Sequence, residues 1–390
     1  MLTLIKNGEI YSPHYLGVKD ILITGDKIAY IHDNIEIPEH FAPIEVIDAS
    51  GQLVVPGFID SHVHIIGGGG EGGFRTRTPE IVLSDITTSG ITTLVGVLGT
   101  DGTTRRMESL LAKARALEEE GVTCYIHTGS YQVPVKTLTG RVEDDIILID
   151  KIIGVGEIAI SDHRSSQPTF EELVKIATAA RNGGILSGKA GVLEIHVGDG
   201  DEKLFLLEEI IEKTEIPSRH FHPTHINRNG DLFKAGIEFA KKGGYVDFTT
   251  STIPEFLEEG EVECSKGLKI MLENEVPITS ITFSSDGQAS LPSFDKNGEY
   301  KGLQVGKVSS LFKEVRNAIL EEGIPIEQAL QVITSNPAQI LKLEHKGTIQ
   351  KRKDADLVLL DKGTLEIQTV IAMGQIMVQD GIPIVKGTFE

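Results

Sequence analysis

LVVPGFIDSHVH, residues 53–64, carries a β-branched apolar run into two histidines one residue apart. In an extended strand, side chains two apart share a face, so His62 and His64 point together at the strand's carboxyl end. Two neutral imidazoles converging there are half of a transition-metal site. Two alternating core histidines would look the same in isolation, so the remainder of the chain has to decide.

Working outward, the same kind of run recurs: ITTLVGVLG (91–99), TCYIHTG (123–129), VGEIAIS (155–161), VLEIHVG (192–198), RHFHPTH (219–225), YVDFTTS (245–251) and ITFSSDG (281–287). The sixth is weakly apolar and counts as a strand by its place in the series. Between the runs lie stretches with apolar residues at helical spacing: MESLLAKARALEEE, EELVKIATAA, LFLLEEIIEK, LFKAGIEFAKK and VSSLFKEVRNAIL. Thr169-Phe-Glu-Glu172 reads as a capping box, and Thr78-Pro79 as an N-cap with proline at the first helical position. Eight strand–helix alternations define an α/β chain, a (β/α)8 TIM-like barrel over residues 53–344.

The ends differ in style. LTLIKNGEI, DILITGDKIAYI and EVIDAS near the start, and DADLVLLD, IQTVIAMG and QIMVQDGIPIVKG near the finish, are short alternating runs. Asn7-Gly8, Gly25-Asp26 and Ser50-Gly51 punctuate the first set as hairpin turns. Neither end has strands enough for its own core, which predicts one small β-sandwich domain built from residues 1–52 and 345–390.

A formal charge of −20 with no basic cluster argues against nucleic acid as a partner. No apolar stretch reaches the ~18 residues that span a bilayer, so no membrane role is expected. The opening MLTLIKNGEI lacks the basic-then-apolar form of a signal peptide, and two cysteines, Cys124 and Cys264, make no disulfide framework. A cytoplasmic location follows as the expectation.

Metal-type side chains fall where such a barrel gathers function, at the carboxyl ends of its strands. After His62 and His64 on strand one come Glu157 on strand four, His196 on strand five, His225 on strand six and Asp286 on strand eight. Each alone has a bland explanation, a hydrogen-bonded histidine or an Asp-Gly turn. Together they predict a metal centre.

FIDSHVH after VVPG, histidines on strands five and six, and SSDG on strand eight resemble the amidohydrolase superfamily. Within it the chain resembles the isoaspartyl (β-aspartyl) dipeptidase family, through HVHIIGGGGEGG (62–73), LGTDGTTRR (98–106), TGSYQVP (128–134), ISDHRS (160–165), PTHINRN (223–229), SSDGQAS (284–290) and the final VKGTFE. The resemblance implies two Zn2+ ions per subunit, His62 and His64 on one and His196 and His225 on the other, with a bridging carboxylate. A hydroxide between the ions would attack the amide carbonyl, polarised by a metal and the Tyr131 hydroxyl. Asp286 would bind the first metal and shuttle the proton to the leaving amine. The resemblance further implies that Glu71 pairs with the α-ammonium of a small dipeptide substrate and that Arg164 and Arg228 clamp the leaving residue's carboxylate. Gly69, Thr100 and Ser290 would bind the other carboxylate, and the protein would be a homo-oligomer, an octamer.

One position departs from the family. The bridge there is usually a carbamylated lysine, and VGEIAISD holds Glu157 instead. A glutamate reaches less far, so its backbone must come closer to the metals. Gly156 reads as one extra residue, suited to a bulge that pushes Glu157 inward. Glu157 itself is therefore the expected bridge. His222 is read as structural or as a neighbour behind the ligands, three residues being the wrong parity to share His225's direction, and His163 as an aid to Arg164. The enzymatic alternative is a cyclic-amide hydrolase of hydantoinase or dihydroorotase type. It would need no ammonium-binding Glu71 and would leave the two arginines without an obvious partner. A non-catalytic barrel should show broken ligands, and none is broken.

Overall fold

The computed structural model describes residues 2–38, 41–294 and 300–390. The chain opens with β1 (Leu2–Tyr11), β2 (Tyr15–Thr24), β3 (Lys27–His32), β4 (Glu45–Asp48) and β5 (Gln52–Pro56). Burial alternates along β3 and β4, as it does where one sheet face meets a core and the other meets water. Gly25-Asp26 forms the β2–β3 turn as expected. Asn7-Gly8 does not turn the chain. It is a bulge inside β1, with Asn7 at φ 59° and its N–H donating to the Asp20 carboxylate at 2.9 Å.

The central strands are β6 (Phe58–Val63), β7 (Ile91–Gly96), β8 (Thr123–Thr128), β9 (Ile152–Ile160), β10 (Val192–Val197), β11 (Phe221–Thr224), β12 (Val246–Thr249) and β13 (Ile281–Ser284). Strands β6 to β11 pair in parallel in sequence order, and β12 pairs with β13. The sheet curls, and single backbone bonds bridge its two seams. Ile226 N–H donates to Asp247 at 3.2 Å on one side; Asp286 N–H donates to His62 at 3.1 Å and His64 N–H to Gly287 at 2.9 Å on the other. These strands are buried on both faces, which explains their near-continuous apolar runs.

Helices cover the outside with the expected stripes; in Met107–Glu119 the buried Leu110, Ala114 and Leu117 share a face. The helix Phe170–Ser187 begins at the Thr169–Glu172 capping box and stops at Gly188, φ 75°. Thr78-Pro79 starts no helix; the next begins at Leu83. The Thr78 hydroxyl is occupied elsewhere, accepting from Gly68 N–H at 2.7 Å and donating to the Gln288 carbonyl at 2.5 Å. It thereby ties the glycine run to the loop after β13, where β14 (Ser290–Phe294) and β15 (Tyr300–Val305) form a hairpin.

The chain closes with β16 (Leu357–Asp361), β17 (Ile367–Ala372), β18 (Gln375–Gln379) and β19 (Ile382–Pro383). Both termini enter one nine-stranded sheet, order β19-β18-β17-β16-β5-β1-β2-β3, with β4 on β1. Here the opening stretch divides. LVVP, in β5, pairs with β16, whereas FIDSHV is the first barrel strand, so residues 53–64 are two strands rather than one. Gly57 separates them, its N–H donating to the Asp356 carbonyl at 2.8 Å. Nearby, Lys346 Nζ lies 2.8 Å from Asp354 and 2.5 Å from Asp356 and donates to Thr123 on β8 at 2.6 Å, fastening sheet to barrel.

Candidate metal centre and active site

His62 lies on β6, Glu157 on β9 and His196 on β10, while His64, His225 and Asp286 fall in the first two residues past β6, β11 and β13. Their side chains meet at one mouth of the curled sheet. His64 Nε2 is 3.0 Å from Asp286 Oδ1, and His62 Nε2 is 3.5 Å from both Asp286 Oδ1 and Glu157 Oε2. His225 Nε2 is 3.7 Å from Glu157 Oε2, and His64 Nε2 is 3.7 Å from Glu157 Oε1. Among the described residues, two donor groups gather within 4.8 Å: His62, His64 and Asp286, and His62, Glu157 and His225. His196 stands beside the second group. Its Nδ1 is 3.1 Å from Glu157 and 2.9 Å from the Tyr131 hydroxyl, and its Nε2 is 3.0 Å from Asp162.

Glu157 reaches the centre through a bulge. Val155 and Ile158 of β9 pair with Leu193 and Ile195 of β10, so Gly156 and Glu157 oppose Glu194 alone. The His64 ring is bounded by glycines. A Cβ on Gly68 would lie 3.2 Å from its Cγ, and one on Gly99 would lie 3.0 Å from its Cε1.

The electrostatics favour positive charge here. Burial opposes a charged His62, yet Glu194 and Glu157 prevail and hold its pKa well above the ordinary imidazole value. Burial likewise opposes the Glu157 carboxylate, and His62 with hydrogen bonds from His196 and His225 brings it well below the carboxylate range. Burial, then His196, pushes His225 down to about 3, so it is a neutral donor. Among the described residues, His62 Nε2, Glu157 Oε1 and Asp286 Oδ1 are buried without a hydrogen-bond partner, which costs about 1–3 kcal/mol per group unless a ligand engages them. Imidazole and carboxylate donors with orphaned atoms facing one another fit a divalent cation of the zinc type.

A cavity of about 690 Å3 opens above, lined by His64, Gly69, Glu71, Thr100, Tyr131, Arg164, Arg228, Asp286 and Ser290 among others. Glu71 accepts from Thr100 at 3.2 Å and Ser290 at 3.0 Å, and Arg164 Nη1 is 3.6 Å from it. Thr100 and Ser290 thus engage Glu71 rather than standing free. Gly69, at φ 68°, bridges backbone to backbone with Arg77. Arg228 Nη1 is 3.9 Å from Asp162 and 3.5 Å from His196. Tyr131 is kept protonated: burial, then Glu157, raises its pKa well above the phenol value.

Two residues escaped the sequence reading. Buried Asp162 receives Arg164 through two bonds, Nε at 3.0 Å and Nη2 at 2.7 Å, so it orients the guanidinium. His163, read for that task, has an 85% exposed side chain, and its Nδ1 lies 3.7 Å from Asp162 Oδ1. Glu194 accepts from His62 Nδ1 at 3.1 Å. The available signals were Asp162's place two residues before Arg164 and the lone carboxylate in VLEIHVG. His222 is structural as expected, bonded to Thr282 at 2.9 Å.

The family model described as "Amidohydrolase family" matches residues 53–377. The chain belongs to the amidohydrolase family, whose barrel accounts for the curled parallel sheet and whose chemistry is metal-dependent hydrolysis. More narrowly, it is similar to the β-aspartyl dipeptidase of Fervidobacterium islandicum AW-1 in complex with a β-Asp-Leu dipeptide: 48% identity, 98% of each chain covered, TM-score 0.90. A second structure of the F. islandicum AW-1 enzyme gives 46% identity, the same coverage and a TM-score of 0.89. A dihydroorotase of Lactobacillus johnsonii is 24% identical over 400 residues, covering 93% of this chain and 89% of that protein.

Proposed function

We propose that the protein hydrolyses isoaspartyl (β-aspartyl) dipeptides, using two divalent cations held by His62, His64, Glu157, His196, His225 and Asp286. One observation carries this reading. The cavity that meets the converged donors also holds Glu71, Arg164 and Arg228, a carboxylate and two guanidinium groups for a substrate that carries both an ammonium and carboxylates. Zinc suits the histidine-rich set, and Glu157 would supply the carboxylate between the ions with no carbamylated lysine. Bound cations supply Lewis acidity and bring the pKa of water near neutrality.

The chain's own side chains do the rest. Glu71 receives the substrate ammonium, and Arg164, held by Asp162, clamps the leaving residue's carboxylate with Arg228. For the second carboxylate, Thr100 and Ser290 turn their hydroxyls from Glu71 to the substrate, beside Gly69. The protonated Tyr131 hydroxyl donates to the scissile carbonyl oxygen, which develops negative charge. Asp286 is ionised, since burial would raise its pKa but His64, His225 and His62 together bring it below the carboxylate range, so it takes a proton from the attacking water and hands it to the leaving amine.

In this reading the terminal strands, with β5 among them, form the small β-domain, and the catalytic barrel begins at β6. The resemblance implies an octamer, and charge, cysteine count and hydropathy suggest a cytoplasmic protein with neither nucleic acid nor membrane as partner. Among the described residues no helix is long and apolar enough to cross a membrane. The dihydroorotase relative keeps a cyclic-amide substrate as the second reading. Turnover of β-Asp-Leu against hydantoin and dihydroorotate separates the two: activity confined to the cyclic amides overturns the dipeptidase.

A further inference from the structure

Beneath the converged donors lies a second buried polar layer that the proposed chemistry does not use. On β10, Glu194 sits two residues before His196, so it faces the same interior one layer lower. His222 is its partner in register on β11, and His127 reaches in from β8. All three are essentially inaccessible. The fold makes room for them at a cost in side chains. A Cβ on Gly156 would lie 2.7 Å from Glu194 Cβ, and one on Gly154 would lie 2.8 Å from His127 Nδ1. Two glycines inside a barrel strand weaken it, and here each clears space for one of these groups.

Glu194 Oε1 is 3.1 Å from His62 Nδ1, and its Oε2, without a hydrogen-bond partner among the described residues, is 3.8 Å from His127 Nε2. His62 is the one side chain common to both donor groups, and it meets them through Nε2. A cation at Nε2 takes the place of one of the two imidazolium protons, and an acceptor at Nδ1 fixes the remaining proton there and leaves the Nε2 lone pair for the metal.

We propose that Glu194 is a positioning residue, which holds His62 in the Nδ1–H form and orientation that present Nε2 to the cations. Its charge also makes the imidazole a stronger donor. The inference rests on the reading of His62 as a metal ligand.

The test uses the full chain, metal-free and then loaded with Zn2+ or Co2+. Affinity is measured by chelator competition, the site by Co2+ visible absorption, and folding by melting of the metal-free protein. Glu194→Ala is expected to weaken binding about 10- to 100-fold, shift the Co2+ spectrum and lower kcat with little change in KM. Glu194→Gln, which keeps an acceptor but no charge, should lose several-fold and recover most of the spectrum. A merely structural role would lower the melting temperature and leave both metal readouts unchanged, which overturns the proposal. If Glu194→Ala fails to fold, Glu194→Gln decides: wild-type affinity and spectrum in that variant overturn it. A wild-type protein that takes up neither ion sinks the metal reading itself, a result distinct from either variant outcome.

Discussion

Gly99→Ala probes how tightly the centre is built. The new methyl would lie 3.0 Å from His64 Cε1 and 3.4 Å from Nδ1. Carbon contacts settle at about 3.5–4.0 Å, so the ring must retreat by about 0.5 Å. It has little room, being 5% exposed, bounded by Gly68 near Cγ and set 3.0 Å from Asp286. Gly99 is not held at positive φ, so the methyl acts through the ring and not through backbone strain. A misplacement of about 1 Å at reacting groups costs about 100-fold, and half of that about 10-fold. Overpacking adds about 1–3 kcal/mol of lost stability. The assay is metal content by elemental analysis beside kcat for β-Asp-Leu, expected to fall together by about tenfold. Wild-type values of both in Gly99→Ala would refute the claim that the glycines set the place of His64.

Glu157→Ala should drop the metal content below two ions per chain, while depleting carbon dioxide should leave the wild type unaffected; two ions retained in the variant, measured by elemental analysis, would dismiss Glu157 as the bridge. Glu71→Gln removes a charge-assisted bond worth about 1.5–3 kcal/mol, hence about 10- to 150-fold in kcat/KM for β-Asp-Leu. The loss should shrink for a substrate acetylated on its α-amine, and an equal loss on both would assign Glu71 elsewhere. Glu261, in the cavity wall, is pushed up to about 7 by burial, against the pull of its bond from Thr252. Between about pH 4.5 and 7 the unfolded chain releases a proton that the folded chain keeps, so this group subtracts stability as pH rises through that window. Glu261→Gln should therefore gain in Tm relative to wild type from pH 4.5 to 7; parallel profiles would contradict the assignment.

Much of this was legible because period and position coincide. The strands read as apolar runs since both faces are covered, and the expected metal ligands other than Glu157 could be found because they lie at or just beyond strand ends. The bulge at Gly156-Glu157 was signalled by a glycine beside a carboxylate in an apolar strand. The misread features all depend on long-range partners. Thr78-Pro79 has the chemistry of a helix start, but Gly68 and Gln288 claim the hydroxyl. Asn7-Gly8 has the chemistry of a turn, but Asp20 on the neighbouring strand holds the chain straight. Glu194 and Asp162 acquire their roles only once His62 and Arg164 are beside them in space.

The single residue between β5 and β6 also sets an address for the chemistry. With β5 locked to β16 and Gly57 anchored on Asp356, the counting of odd and even positions along β6 starts from a fixed origin. Adding or removing one residue at this joint would reverse which side chains look inward, turning His62 and His64 toward the surrounding helices and Val63 toward the substrate. The terminal sheet, far from the reacting atoms, acts in this sense as the datum from which the catalytic histidines are measured.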